Sequence, residues 1–376
     1  MKIGIIVGIN TDAISEERYP KWLKDIDNKT FNLSKEKWDN NYALSSDVAI
    51  AHYVRKFSND EIEILTKNDI SLKRFNDFDI LFGFYCPFYY THTKKNSDFY
   101  KKYNEIIKKT NAIYLQPLEL QKFVLNKKLY TDTLMKHNIP VLDTISFQIK
   151  NNMNVENILN KIRIQCNKWN TTQFITKPQP GGFGIGFKKW DLNKIFKNNK
   201  QFSTYIKKIE KQVRIEKPLL LAQKFVPEFE KFYEVRTYWL NGKYSHSLGT
   251  IIHPDSLGIS GFEKVSFGYP ESEYNSRVFN TYDEIPEKIE DKLINQLKSL
   301  GRKILKIIPQ DKNGPPFLFR IDFGCCLDNK KNCREYFVNE IEYNPNLFPE
   351  YSTHIDFLKR VGDSIIKKSN NLKKII

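Results

Sequence analysis

Two apolar segments near the C-terminal end of the chain carry polar side chains at every second position. In the first, residues 319–323, Arg320 and Asp322 fall on one face of a predicted strand. The second begins at Phe337 and alternates in the same way. Carboxylates this close repel each other unless a cation lies between them, and oxygen ligands favour magnesium or calcium, although a solvated edge strand would also tolerate alternating acids. The predicted metal ligands are Asp322, Glu340, Glu342 and Asn344.

A glycine-rich segment follows a predicted strand in the middle of the chain. The strand, Gln173–Pro178, carries Lys177. The glycines after it are Gly181, Gly182, Gly184 and Gly186. Glycines let backbone N–H groups converge on an anion, and a nearby ammonium group can neutralise a nucleotide phosphate. The segment is neither a Walker A motif nor a dinucleotide fingerprint, so a phosphate-binding loop and a plain hairpin turn are both open interpretations.

The order of apolar runs predicts a parallel α/β layer over residues 1–115. Short strands alternate there with helical stretches, which is typical of such a layer. The predicted strands are Lys2–Val7, Ile62–Leu65, Asp79–Phe84 and Ala112–Leu115. The segment Ile14–Asn40, rich in charged and aromatic residues, is expected to be a surface excursion of this layer.

Two α+β sections are predicted to follow, over residues 116–215 and 216–376. In the first, a helix at Leu125–His137 stops at Asn138-Ile139-Pro140, and a strand follows at Val141–Phe147. In the second, the predicted strands are Pro218–Val226, Val235–Leu240, Phe317–Phe323 and Tyr336–Tyr343, and the predicted helices are Ile289–Ile307 and Phe357–Ile376. The predicted fold class is therefore α/β, with α+β sections added.

The net charge of +16 is compatible with an anionic substrate or a nucleic acid. The lysines are scattered, however, and the abundance of Lys, Asn and Ile together is also what an AT-rich genome produces. No helix-turn-helix, zinc-finger or RNP-type signature is present, so we expect no nucleic-acid partner. Nothing in the sequence indicates an oligomeric state.

The cysteines and the apolar runs predict a cytoplasmic protein without a membrane segment. Five cysteines lack the spacing of a disulfide scaffold, and no run of about 18 apolar residues occurs. The N-terminal apolar run is too short for a signal peptide. Three cysteines lie close together, at positions 325, 326 and 333, but no fourth ligand stands at zinc-ribbon spacing. We expect reduced, structural thiols.

Five motifs, taken in chain order, resemble those of the ATP-grasp superfamily. They are Asn126-Lys127-Lys128, Lys177 with the glycine-rich segment, Leu221–Val226, Arg320-Ile321-Asp322 and Glu342-Tyr343-Asn344-Pro345. The first strand, with Gly4 and Gly8, is similar to the N-terminal layer of D-alanine–D-alanine ligases. The resemblance implies an ATP-grasp fold, in which two α+β subdomains after the N-terminal layer clasp ATP.

The resemblance also implies a role for each matching residue. The nucleotide-binding residues would be Lys127 and Lys177 on the phosphates, Gly181, Gly182 and Gly184 in a flap, Gln223, Lys224 and Val226 at the adenine, and Glu230 or Glu228 at the ribose. Two magnesium ions would lie on the acids named above, and Arg320 would stabilise the transferred phosphoryl group. The family pattern is Glu-x-Asn, so either Glu342 and Asn344 or, with an acid replacing the Asn, Glu340 and Glu342 complete the metal site.

The predicted activity is that of an ATP- and magnesium-dependent ligase. It would phosphorylate a carboxylate and join it to an amine or thiol through an acyl phosphate, with a small molecule or peptide as substrate. Glu234 and Arg236 fit a substrate-facing pair of such enzymes, or an ordinary cross-strand ion pair. Among the histidines, His246 is the candidate for a catalytic role, although a structural role is the simpler interpretation. Two alternatives keep the fold: a kinase acting on a polyanion such as an inositol polyphosphate, and a ligase that modifies acidic protein tails.

Overall fold

The computed structural model describes residues 1–8, 13–34, 36–38, 41–84, 94–150, 152–179, 187–212, 218–227, 234–250, 287–310, 312–327, 333–345, 347 and 356–374. The strands are β1 Lys2–Ile6, β2 Ala13–Ser15, β3 Glu36–Trp38, β4 Asn41–Ser45, β5 Glu61–Leu65, β6 Ile80–Gly83, β7 Ile113–Leu115, β8 Thr144–Gln148, β9 Gln173–Gln179, β10 Lys188–Asp191, β11 Leu219–Lys224, β12 Glu234–Leu240, β13 Lys243–Thr250, β14 Leu318–Leu327 and β15 Cys333–Glu342. The helices are α1 Asn28–Phe31, α2 Ser46–Phe57, α3 Leu72–Phe75, α4 Lys94–Lys109, α5 Leu118–Leu125, α6 Lys127–Lys136, α7 Val155–Trp169, α8 Leu192–Lys197, α9 Lys200–Gln212, α10 Glu287–Ile307 and α11 Phe357–Leu372.

The N-terminal sheet is parallel, with the strand order β5-β1-β6-β7. Its apolar residues, such as Ile3 and Ile5, share one core with Val361 and Ile365 of the C-terminal helix α11. Helix α11 packs on α2 at Gly362, where a Cβ atom would collide with the ring of Tyr53. The predicted α/β layer is confirmed, and the last helix of the chain completes its core.

The segment predicted as a surface excursion contributes structure of its own. Strands β2 and β3 flank β4 in a small antiparallel sheet. Leu23 is fully buried in the N-terminal core, and Asp27 caps α1 by accepting a hydrogen bond from the Thr30 amide at 2.8 Å. The excursion is therefore partly buried, because its apolar residues pack on α2.

The central sheet has the strand order β10-β9-β11-β8, and all its pairings are antiparallel. Its core lies against α7 and α9 and includes Trp169, Phe174, Trp190 and Phe202. Strand β11 lies beyond the predicted boundary after residue 215, yet it pairs with β8 and β9. That boundary cuts one sheet in two, so the pairing favours a boundary after β11.

The C-terminal sheet is antiparallel, with the order β13-β12-β14-β15. One face is apolar: Phe319, Ile321 and Phe323 pack with Leu297 and Ile304 of α10. The opposite face carries two rows of polar residues in register across three strands. The rows are Tyr238–Arg320–Glu342 and Arg236–Asp322–Glu340. The alternation predicted from the sequence thus places the acids on the face that α10 leaves free.

The helix predicted at Leu125–His137 is confirmed as α6, and a second helix, α5, lies directly before it. Helix α5 ends at Leu125, and the Asn126 side chain caps α6 by accepting a hydrogen bond from the Leu129 amide at 3.0 Å. The predicted stop is confirmed, since α6 ends at Lys136 and Asn138 has a φ of 55°. Within the described ranges, no helix is both long and apolar enough to cross a membrane.

Candidate active site

Three carboxylates gather on the polar face of the C-terminal sheet. Asp322, Glu340 and Glu342 each offer an oxygen within 4.8 Å of the others, and we call this group the carboxylate cluster. Arg320 holds Asp322 through two hydrogen bonds of 2.7 and 2.8 Å, and its Nη2 lies 3.0 Å from Glu342. Arg320 and Asp322 are almost fully buried. The C-terminal sheet therefore builds an oxygen-rich site around one fixed guanidinium group.

The carboxylates of the cluster differ in their electrostatics. Burial raises the pKa of Asp322 to about 6 and that of Glu342 to about 7, against the opposing field of Arg320. Burial also acts on Glu340, but Lys127 and Lys177 outweigh it and lower the pKa of this carboxyl to about 2. Glu340 is thus the most strongly acidic member of the cluster.

Asn344 lies two residues after Glu342, past the end of β15. Its Oδ1 is buried and accepts no hydrogen bond from the residues that the structure describes. The structure brings Glu340 and Glu342 together with Asp322. Whether Glu340 and Glu342 or Glu342 and Asn344 complete a metal site stays a prediction.

The two predicted phosphate lysines lie next to the carboxylate cluster but differ in their partners. Lys127 forms an ion pair with Glu340. Lys177, on β9, is partly buried and has no ion-pair partner among the described residues. Burial, and then the neighbouring charge of Lys127, lower the pKa of Lys177 to about 8. An anion that contacts both ammonium groups would relieve this repulsion.

Gln179 was missed by the sequence analysis. Its Oε1 accepts a hydrogen bond from the Lys128 amide at 2.8 Å, and its Nε2 donates to Asn126 Oδ1 at 2.7 Å. Gln179 therefore ties the end of β9 to the start of α6 and fixes Lys127 beside Lys177. A single glutamine at a strand end carries no sequence signal of such a link.

A second polar group on the C-terminal sheet surrounds Glu234. This buried carboxylate accepts hydrogen bonds from Arg236 Nε at 3.1 Å and from Asn339 Nδ2 at 2.6 Å. Asn339 reaches Glu234 because β15 is bulged there: Glu340 pairs with Asp322, but the next pairing joins Val338 to Phe323. Glu234 and Arg236 thus form an ion pair within β12 rather than across two strands, and Arg236 lies opposite Asp322 of the carboxylate cluster. A substrate-facing role of the pair stays a prediction.

The predicted adenine-binding residues lie at the end of β11. Gln223 donates a hydrogen bond to Thr144 Oγ1 at 3.0 Å, while its own Oε1 is buried and has no partner in the described part of the chain. Lys224 ends the strand and Val226 is buried just after it. The remaining predicted nucleotide residues lie outside the described residues: Gly181, Gly182, Gly184, Glu228 and Glu230.

His246 has a structural environment. Its ring stacks between Tyr238, with a centroid distance of 4.6 Å, and Phe357, at 3.8 Å. Burial, helped by the positive charge of Arg360, lowers its pKa to about 3. The imidazole is therefore neutral near pH 7 and is not poised to exchange protons there.

Solved structures with the same architecture match nearly the whole chain. D-cycloserine synthetase DcsG has a TM-score of 0.61 at 13% identity, over 98% of this chain and 99% of that one. D-alanine–D-alanine ligase from Bacillus anthracis, complexed with ATP, has a TM-score of 0.55 at 13% identity, over 100% and 99%. ATP-grasp ligase PsnB with its minimal precursor has a TM-score of 0.53 at 11% identity, over 97% and 99%. No family model matches the chain, and no curated protein matches its sequence. The chain has the ATP-grasp fold.

Proposed function

We propose that this protein is an ATP- and magnesium-dependent ligase that joins a carboxylate to an amine or thiol. The observation that carries the proposal is the carboxylate cluster, with Lys127 on Glu340 and Lys177 beside it. The fold supports it, since structures of this fold include a ligase complexed with ATP and PsnB complexed with Mg and ADP. We expect a small-molecule or peptide substrate.

The charges of the site suit magnesium together with ATP. Four acids (Glu234, Asp322, Glu340 and Glu342) face four bases (Lys127, Lys177, Arg236 and Arg320), so the formal charge of this group is zero. ATP brings roughly four negative charges, and two magnesium ions would balance them. The candidate ligands are all oxygen atoms, which suits a hard cation such as magnesium. The Oδ1 of Asn344, which has no partner among the described residues, is one more oxygen near the end of β15.

The nucleotide would lie between the central and C-terminal sheets. Lys127 and Lys177 would hold its phosphates, the glycine-rich segment would cover them, and the adenine would lie at Gln223, Lys224 and Val226. The Oε1 of Gln223 is an acceptor suited to the amino group of adenine. When bound, ATP would supply the phosphoryl group that activates the carboxylate as an acyl phosphate. The amine or thiol would then attack the acyl carbon and release phosphate.

The chain's own residues would orient that reaction. Arg320 is locked on Asp322 and Glu342 and would stabilise the negative charge of the transferred group. Glu234, which accepts a hydrogen bond from Asn339, holds Arg236 in place, and Arg236 would orient the substrate carboxylate. A fixed guanidinium lowers the entropy cost of positioning a planar carboxylate.

The alternatives with a polyanionic substrate would be favoured by a cluster of Lys and Arg side chains around Arg236 and Lys243. Among the described residues, Arg236 and Arg320 are each paired with acids of the same sheet, and Lys243 is exposed at the start of β13. We therefore propose a small carboxylate as the substrate. Activity on inositol polyphosphates or acidic protein tails in the test below would favour one of the alternatives instead.

The test is an ADP- and phosphate-release screen with magnesium against amino acids, short peptides, acidic tails and inositol phosphates. With any substrate that responds, Asp322→Asn and Lys177→Ala should lower the rate by at least about a thousandfold, because each removes a charge that stabilises the transition state. Lys128→Ala is the matched control, since the Lys128 side chain pairs with Asp132. Unchanged turnover in both site variants would contradict the proposal.

A further inference from the structure

Each member of the carboxylate cluster already has a cationic partner within the protein. Arg320 binds Asp322 and Glu342, and Lys127 binds Glu340. A metal ion that enters the cluster must therefore share these oxygens with a protein cation or displace one. The two cations differ in whether they can leave.

Arg320 cannot leave easily. Its side chain is 5% exposed and forms two hydrogen bonds to one carboxylate, which fixes the planar guanidinium group. Lys127 makes one contact, at the first residue of α6, with its side chain 12% exposed. Its four-carbon stem can rotate to a new partner while the backbone stays in place.

The backbone around Lys127 is held firmly. Gln179 accepts from the Lys128 amide, and Asn126 accepts from the Leu129 amide, so the first turn of α6 is tied to β9. These two amides are not free to bind a phosphate. Recognition of an anion at this position therefore falls to the ammonium group of Lys127, which must leave Glu340 to reach it.

We propose that Lys127 determines the specificity of the metal site: it occupies Glu340 and excludes free divalent cations until a polyphosphate takes its ammonium group. The inference rests on the proposed function. If a metal ion alone displaced Lys127, its ammonium group would lose its ion pair with Glu340 and would still face the repelling charge of Lys177. A polyphosphate pairs with both, so metal and nucleotide promote each other's binding, as linkage requires.

The test measures the affinity of the full-length protein for Mn²⁺ in the absence and in the presence of ADP. The electron paramagnetic resonance signal of free Mn²⁺ reports how much of the metal is unbound. Wild-type protein should bind Mn²⁺ at least about tenfold more tightly with ADP. Without ADP, Lys127→Met should bind Mn²⁺ about tenfold to a hundredfold more tightly than wild type, because Glu340 is free. ADP should then raise the Mn²⁺ affinity of Lys127→Met by a smaller factor than it raises that of wild type. Lys128→Met removes the same charge from the neighbouring position and should behave like wild type.

One contradicting result is that, without ADP, Lys127→Met binds Mn²⁺ no more tightly than wild type does. If wild type binds Mn²⁺ with ADP, that result would overturn this inference but not the proposed function. Lys127→Gln repeats the test with a side chain that keeps a polar end. If wild type binds Mn²⁺ equally tightly with and without ADP, the inference is overturned by the wild-type measurement itself. A wild-type protein that binds no Mn²⁺ in either condition overturns the proposed function as well.

Discussion

The central and C-terminal sheets contribute to one site, but their polar groups are satisfied to different degrees. On the C-terminal sheet, Arg320 pairs with Asp322 and Glu342, and Glu234 pairs with Arg236. On the central sheet, Lys177 has no ion-pair partner among the described residues, and a neighbouring strand carries the unpartnered Oε1 of Gln223. These acidic groups of the C-terminal sheet pair with cations of the same sheet, whereas the central sheet keeps groups that have no partner among the described residues.

The difference has an energetic meaning. A buried polar group without a partner costs about 1–3 kcal/mol of folding free energy, and a ligand that pairs with it recovers this cost as affinity. A buried ion pair behaves in the opposite way, because the loss of one partner leaves an uncompensated charge. Substitutions on the C-terminal sheet should therefore weaken the fold, and those on the central sheet should weaken binding.

The largest expected effect is on stability. Arg320→Met should lower the free energy of unfolding of the ligand-free protein by about 3–5 kcal/mol, because Asp322 and Glu342 lose their shared cation. Lys177→Met, the control on the central sheet, should change it by less than about 1 kcal/mol or raise it. Urea denaturation measures both. Equal losses of stability in the two variants would remove the distinction between the sheets.

A smaller effect should appear in the pH dependence of nucleotide affinity. The pKa of Lys177 is lowered to about 8, so the charged form that attracts phosphate is present below pH 8 and is lost above it. The affinity for ADP with magnesium should fall by about tenfold between pH 7 and pH 9. Calorimetric titration at each pH measures this. Lys177→Arg stays charged and should show a much flatter profile; a wild-type profile equally flat would show that Lys177 does not bind the phosphates.

The smallest expected effect concerns Gln223. Gln223→Leu removes the hydrogen bond to Thr144 but also a buried acceptor that has no partner among the described residues. The two effects oppose each other, so the free energy of unfolding should change by less than about 1 kcal/mol. The affinity for ADP should fall by roughly five- to tenfold, which corresponds to one hydrogen bond. The ratio of the affinity for ADP to that for GDP should become smaller. Competition between the two nucleotides measures both numbers. An unchanged preference would place the adenine elsewhere.

Much of the fold was predictable because its signals are local. The strand carrying Arg320 and Asp322 is found where period-2 alternation of apolar residues placed it, and the stop after α6 lies at Asn138 as predicted. The carboxylate cluster followed from the same alternation, since acids on two apolar strands share a face. The fold class and the ATP-grasp architecture are both confirmed.

The parts that were not predicted depend on pairings between distant segments. Nothing in the apolar run of β11 says that it joins the central sheet, because alternation identifies a strand but not its neighbours. The bulge at Asn339 shifts a side chain by one register position, which no periodicity shows. Helix α5 was not predicted, and its end at Leu125 is set by the cap that Asn126 provides for the next helix. The contacts of Gln179 and Lys127 likewise join elements far apart in the chain.

The central claim is that the carboxylate cluster binds magnesium together with a nucleotide. Its most direct test is calorimetric titration of ADP into wild-type protein and Asp322→Asn, each with and without magnesium. Magnesium should raise the affinity of wild type for ADP by about tenfold or more and should leave that of Asp322→Asn nearly unchanged. An equal gain in both proteins would contradict the claim, because the metal would then bind away from Asp322.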